Sequence, residues 1–268
     1  MTRILRPVEW AYPVPAVSRE VLAVPADQPD TRPPVLFVPG YGHGAWVFAE
    51  YWLEHTARRG FPAYAMSLRG HGESGSARRT TLRAYVHDVV QVAASLPHQA
   101  VLVGHGAGAL VVARAMARYP ARAGVLVAPV LGGLRMAAGA FAGNPLGTVP
   151  ALFGGALRPR RGQLFSRELA APVAREYASR LGRAAALAQF RLLAPGTPEP
   201  PVGDPPVLVV GSPDDKIVSG AALARAARRY GGAPLLFPGM AHDLMLDARW
   251  QEPIDAILDW LDKPEAAT

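Results

Sequence analysis

Residues 104–108 read Gly-His-Gly-Ala-Gly, between a short apolar run (Val101, Leu102, Val103) and an apolar, alanine-rich stretch from Ala109 to Tyr119. Strand, sharp turn and helix make the frame of the nucleophile elbow, G-x-S-x-G, in which a strained turn pushes a serine into a pocket. Gly104 and Gly108 hold the outer glycine positions, and Gly106 holds the serine position. The frame is present and its nucleophile is not. No acyl-enzyme can form on a residue without a side chain, and neither cysteine nor aspartate fills the slot. Other residue types suited to proton transfer lie far along the chain: Asp214-Asp215 in a turn after an apolar run, and His242 in a loop near the C-terminus.

Positioning such groups requires a scaffold, and the hydrophobic rhythm supplies one. Residues 1–30 alternate loosely among prolines, as one or two edge strands do. From Pro34 the pattern sharpens. PVLFVPG is a short apolar run, Trp46 to Arg59 has helical spacing, FPAYAMSLRG is a further strand, and Leu82 to Leu96 is an amphipathic helix capped by Thr80 or Thr81. GVLVAPV follows the elbow, and PPVLVVGS, a helix over Gly220–Tyr230, APLLFPG and a helix over Trp250–Leu261 complete the series. Alternating strands and helices predict an α/β fold, a mostly parallel sheet of about eight strands with helices on both faces. Residues 131–204 break the rhythm with GG, NP and GT turns, helices over Ser166–Leu181 and Arg183–Leu193, and the proline-rich return APGTPEPPVGDPP. They read as a helical cap between the two parts of the core, 1–130 and 205–268. An insertion at the carboxyl edge of a parallel sheet lies where such sheets bind ligands.

Composition narrows the functional classes. The net charge of +7 and pI near 10.1 raise nucleic-acid binding, but the arginines are scattered over helices. The densest cluster, Arg158, Arg160 and Arg161, has no interleaved aromatics, so the basic footprint lacks its companion features. Without cysteine there is neither a disulfide framework nor a thiolate metal site. The seven histidines show no H-x-x-x-H or H-E-x-x-H spacing, so no metal is expected. Residues 104–108 lack the G-x-G-x-x-G dinucleotide fingerprint, and no other cofactor is implied. No run reaches the roughly 18 to 20 apolar residues of a membrane span, and the N-terminus has no signal-peptide pattern. The expectation is a cytoplasmic protein with a small apolar substrate and neither nucleic-acid nor membrane partner. Oligomeric state is open.

Taken in order, four motifs resemble those of the α/β-hydrolase fold, in its small capped form. Val38-Pro39-Gly40-Tyr41-Gly42-His43-Gly44-Ala45-Trp46 is similar to the family's oxyanion loop, with Pro39 for the usual histidine; its His-Gly-Ala-Trp ending resembles the esterase and hydroxynitrile-lyase branch. Leu68-Arg69-Gly70-His71-Gly72-Glu73-Ser74-Gly75 resembles the loop D-x-R-G-x-G-x-S, with Ser67 at the aspartate position, and is expected to be structural. Gly211-Ser212-Pro213-Asp214-Asp215-Lys216-Ile217-Val218 resembles the segment bearing the triad acid. The Ile-Val frame selects Asp215, and a count from Gly211 leaves Asp214 as the alternative. Pro238-Gly239-Met240-Ala241-His242-Asp243 has the form of the histidine loop. The resemblance implies catalytic positions Gly106, Asp215 and His242, oxyanion donors at the Tyr41 and Ala107 amides, and a substrate pocket bordered by Gly40, His43, Trp46, His105 and Met240. His105 itself is expected to point into the packing beside the elbow.

Three functions fit that resemblance. A serine hydrolase acting on a small apolar ester, lactone or related carbonyl compound needs a serine at 106. A base-catalysed enzyme keeps Gly106 and uses His242 with Asp215 on water or on an acidic substrate proton. A pseudo-hydrolase uses the capped pocket only to bind a ligand. Retention of an acid and a histidine argues against the last.

Overall fold

The computed structural model describes residues 13–27, 32–76, 80–131, 144–152, 159–182 and 197–263. Among these, seven strands form one sheet: β1 (Val21–Val24), β2 (Val35–Val38), β3 (Ala63–Met66), β4 (Val101–His105), β5 (Ala123–Val127), β6 (Val207–Gly211) and β7 (Leu235–Leu236). Their order is β1-β3-β2-β4-β5-β6-β7. β1 runs antiparallel to β3, and every other pairing is parallel. Central strands β2, β4 and β5 are buried along their whole length, which is why they read as unbroken apolar runs rather than alternations.

The helices are α1 (Trp46–Ala49), α2 (Trp52–Arg58), α3 (Leu82–Ser95), α4 (Ala107–Ala115), α5 (Pro145–Leu152), α6 (Arg161–Leu164), α7 (Ala171–Ser179), α8 (Gly220–Arg229) and α9 (Gln251–Leu261). One core cluster sets Phe37, Phe48, Trp52, Ile254 and Leu258 together. Another sets Leu36, Leu102, Tyr85, Leu110 and Leu223 together. Thr81 caps α3 by accepting from the Ala84 amide, and Ser219 caps α8 by accepting from the Ala222 amide.

Two predicted helices differ. The span from Trp46 to Arg59 is broken at Glu50–Tyr51, a turn from which Tyr51 stacks on Trp250 at 4.7 Å. The helix predicted from Ser166 begins instead at Ala171, with Pro172 in its first turn. Ser166 is held outside it, its amide and hydroxyl both donating to the Asp247 carboxylate at 3.0 and 2.6 Å. The helix predicted over Arg183–Leu193 lies outside the described residues.

The middle of residues 131–204 is rooted in the core rather than perched on it. Leu164, Phe165, Leu169, Ala174 and Tyr177 join the first cluster. Backbone bonds then tie this segment to two loops: the Gly182 amide donates to Gly42 O at 2.7 Å, and the Asp243 amide to Leu164 O at 2.9 Å.

The loop after β3 is structural. Buried Arg69 forks onto buried Asp88, Nε to Oδ2 at 2.5 Å and Nη2 to Oδ1 at 2.6 Å, and Arg19 adds a third contact at 2.9 Å. Ser74 Oγ donates to Ser67 O and accepts from the Glu20 amide. Ser67, at the position where the resemblance expected aspartate, donates its hydroxyl to the Glu20 carboxylate, which also accepts from the Glu73 amide. A carboxylate therefore serves this loop, supplied by β1's approach segment.

Candidate active site

The elbow is built by close backbone approach. A Cβ on Gly108 would collide with Pro39 O and lie 2.5 Å from Val38 O, and one on Gly104 would lie 2.6 Å from Gly108 O. Both outer positions are therefore restricted to glycine, so that α4 can start directly against the ends of β2 and β4. Between them Gly106 adopts φ 55°, ψ −120°, a region that costs a side-chain-bearing residue about 1–3 kcal/mol. The turn is pinned to β5: Gly106 N donates to Val127 O, and Gly106 O accepts from Val130 N, each at 2.9 Å. Glycine at the apex adopts this conformation without that cost.

What faces Gly106 is His242. A Cβ built on Gly106 would sit 3.2 Å from His242 Nε2, with Gly40 Cα at 3.8 Å and His242 Cε1 at 3.9 Å as its next neighbours. The other ring nitrogen, Nδ1, lies 2.7 Å from Asp215 Oδ2. Asp215 Oδ1 accepts from the Ile217 and Val218 amides at 2.7 and 3.0 Å. Asp214 turns away and accepts from the Gly239 amide. Of the two aspartates the sequence left open, Asp215 is the one beside the imidazole.

Burial alone would lower the His242 pKa; the charge and hydrogen bond of Asp215, aided by the Asp243 charge, outweigh it and raise the pKa above the ordinary value. With Nδ1–H donated to Asp215, Nε2 faces the elbow as the basic atom.

Gly40 brings the loop after β2 onto the elbow: its Cβ would lie 3.3 Å from His105 O and 3.6 Å from Ala107 N. Ala107 is the first residue of α4, so its amide is among those that a helix leaves unsatisfied. The Tyr41 side chain is buried between His71 and Tyr85; burial, then the nearby Tyr85, raises its pKa and keeps the phenol neutral.

The remaining predicted pocket residues divide. Trp46 is half-buried, with the Arg180 guanidinium 3.9 Å above its ring. Met240 is packed into the core at 1 % exposure. His43 and His105 lie beneath the surface and face Asp243, which the sequence reading did not single out. His43 Nε2 is 3.1 Å from Asp243 Oδ2 and its Nδ1 3.2 Å from Tyr41 O. His105 Nε2 donates to His242 O at 3.2 Å and stands 3.5 Å from Asp243 Oδ1. Burial first, then the His242 charge, pulls the His105 pKa down to about 3. The Asp243 pKa is opposed by burial but lowered on balance by His43, His105 and His242. His105, His242 and Asp243 bring ligand-type atoms within 4.8 Å of one another; each side chain is hydrogen-bonded through one atom, to His242 O, Asp215 and His43 respectively, while His105 Nδ1 and Asp243 Oδ1 have no hydrogen-bond partner among the described residues. Sequence spacing carried no sign of this cluster, because Asp243 and His43 are 200 residues apart.

No helix among the described residues is long and apolar enough to cross a membrane. Among solved structures, the fold is similar to a monoacylglycerol lipase of Paleococcus ferrophilus, with a TM-score of 0.68 and 20% identity over 92% of this chain and 98% of that one. It is also similar to a thermophilic esterase of Thermogutta terrifontis, with a TM-score of 0.67 and 19% identity over 94% of each chain. A soluble variant of monoglyceride lipase from Saccharomyces cerevisiae gives 0.71 and 13% identity over 92% of this chain and 91% of that one. No curated protein matches the sequence significantly. The sequence model described as the alpha/beta hydrolase family matches residues 35–259, most of the chain, and with the sheet order and the elbow in place this protein belongs to that family.

Proposed function

We propose that this protein is an enzyme in which His242, oriented by Asp215, acts as a general base on a small, apolar ester, lactone or related carbonyl compound, without a covalent intermediate at residue 106. One observation carries the reading: an imidazole held by a carboxylate at 2.7 Å aims its free nitrogen at an elbow that has no side chain. In this mechanism a proton donor, water or an acidic position of the substrate, gives its proton to His242 Nε2. Asp215 stabilises the resulting imidazolium. Negative charge developing on the carbonyl oxygen is held by the Ala107 and Tyr41 amides, each contributing about 3 kcal/mol. General-base assistance supplies roughly 10²–10⁴-fold, enough for an activated ester and too little for a plain ester or an amide. The similarity in fold to a monoacylglycerol lipase and to an esterase supports an ester.

The test is hydrolysis of p-nitrophenyl butyrate by the protein and by His242→Ala. The expected result is a rate that falls on the order of 10²-fold or more in the variant. It should rise with pH through an inflection above the ordinary histidine value near 6.5. Equal rates for the two proteins sink the proposal. Tight ligand binding without turnover, indifferent to His242→Ala, assigns a receptor instead.

A further inference from the structure

The Tyr41 amide, read above as an oxyanion donor, belongs to the peptide unit joining Gly40 to Tyr41, and that unit is held from its far side. No cis peptide bond occurs among the described residues, so the Tyr41 N–H points opposite to Gly40 O. Gly40 O accepts from the His43 amide at 3.2 Å. This closes a tight turn whose third residue, Gly42, has φ 82°, a value suited to glycine. Gly42 O accepts from the Gly182 amide at 2.7 Å. Between them stands Tyr41 O, 3.2 Å from Nδ1 of the His43 ring. Three successive carbonyls are thus engaged, and His43 serves two of them, one through its backbone and one through its ring.

The ring is itself anchored. Its Nε2 lies 3.1 Å from Asp243 Oδ2, both residues are buried, and Asp243 follows His242 directly in the chain. The Asp243 amide is fixed on Leu164 O at 2.9 Å. Tyr41 O can only accept, so Nδ1 carries a proton, and a bond at Nε2 needs one further proton shared with the carboxylate. Gly40 and Gly42 have no side chains, and the Tyr41 ring is turned between His71 and Tyr85. The His43 ring is therefore the turn's polar link to the histidine loop. Resting on the reading of His242 as the base and of the Tyr41 amide as an oxyanion donor, we infer that His43 and Asp243 are positioning residues, which lock the Gly40–Tyr41 peptide to the histidine loop so that base and donor keep one setting. Without the link, the turn can rotate the Tyr41 amide away while His242 and Asp215 stay paired.

The experiment compares hydrolysis of p-nitrophenyl butyrate with that of its thiono counterpart, in which C=S replaces C=O, by release of p-nitrophenolate. Sulfur accepts hydrogen bonds weakly, so a well-aimed amide favours the oxygen ester, whereas His242 serves both. Loss of folded protein slows both esters alike and leaves their ratio unmoved. His43→Gln keeps a donor on the buried Asp243 carboxylate but releases Tyr41 O, and circular dichroism checks its fold. It should lower the oxygen-over-sulfur ratio about tenfold or more, since removing an oxyanion donor outright costs roughly 10²–10³-fold. Asp243→Ala should lower the ratio likewise. Asp243→Asn should keep it within about twofold, because the asparagine amide donates to Nε2 while Nδ1–H stays on Tyr41 O. An unmoved ratio in His43→Gln or in Asp243→Ala overturns the inference and leaves the base reading intact. A fall in Asp243→Asn equal to that in Asp243→Ala also overturns it, by assigning the effect to the charge. Hydrolysis by the unaltered protein no faster than by His242→Ala overturns both.

Discussion

Replacing Gly106 by serine separates two quantities that coincide in an ordinary elbow, strain and chemistry. At φ 55°, ψ −120° a residue with a Cβ carries about 1–3 kcal/mol of backbone strain that glycine does not. The new Cβ also meets His242 Nε2 at 3.2 Å, closer than such contacts usually stand. The ring must then recede by a few tenths of an ångström, although it is fixed by Asp215 at 2.7 Å and backed by the His105 ring at a centroid distance of 4.8 Å. Gly106→Ser should therefore lower stability by about 1–3 kcal/mol, which in a domain of this size is roughly 2–12 °C in Tm. The same variant should gain a stoichiometric burst of p-nitrophenol and a mass increase of one acyl group, since Oγ would stand between base and substrate. Gly106→Ala is the companion, with a similar loss of Tm and no burst. Differential scanning calorimetry and intact-protein mass spectrometry read the two effects independently. An unchanged or raised Tm in both variants refutes the strain argument, and a Gly106→Ser protein that stays unacylated refutes the placement of His242.

Acid should destabilise the fold through two buried histidines. Burial pulls His71 down to about 4 and His105 to about 3, so their stabilising neutral forms are intact above the unfolded value near 6.5 and lost as pH falls through the folded values. Between pH 6.5 and those folded values each costs up to about 1.4 kcal/mol per pH unit, which urea unfolding at stepped pH measures; a flat profile between pH 6.5 and 4.5 contradicts it. His242 acts in the opposite sense, its contribution fading as pH rises through its raised folded value. Asp88→Asn should cost about 3–5 kcal/mol, because it strands the fully buried Arg69 guanidinium. A loss under about 1 kcal/mol in the same unfolding assay places the pair with weak surface bridges.

The fold was legible wherever burial wrote itself into residue type. Strands β2, β4 and β5 are covered on both faces and read as apolar runs, and the glycines at 104 and 108 mark a backbone approach too close for any Cβ. Sequence periodicity did not show the turn at Glu50–Tyr51, since neither proline nor glycine signals it; it follows from Tyr51 reaching Trp250. About eight strands were expected, and the described residues hold seven. The late start of α7 depends on Ser166 meeting Asp247 from 81 residues away. Partnerships of that range leave no local trace, which is also why Glu20 and Asp243 went unseen while His242 and Asp215, framed by short motifs, did not. Between Asp214 and Asp215 the motif was ambiguous by one residue, a distinction that depends on which carboxylate the 217–218 amides turn inward.

Asp243 also bears on how this site can be altered. The oxyanion loop through His43, the elbow strand through His105 and the histidine loop itself all meet at one carboxylate that solvent does not reach. A change to His43 or Asp243 leaves a donor or a charge in the interior without its counterpart, and a change to His105 leaves His242 O without its donor. Grafting a single loop from a relative should thus damage folding more than its length suggests. Loops carrying positions 43, 105 and 243 together form the smallest unit that can be transplanted, and a redesign of this pocket should move them as a set.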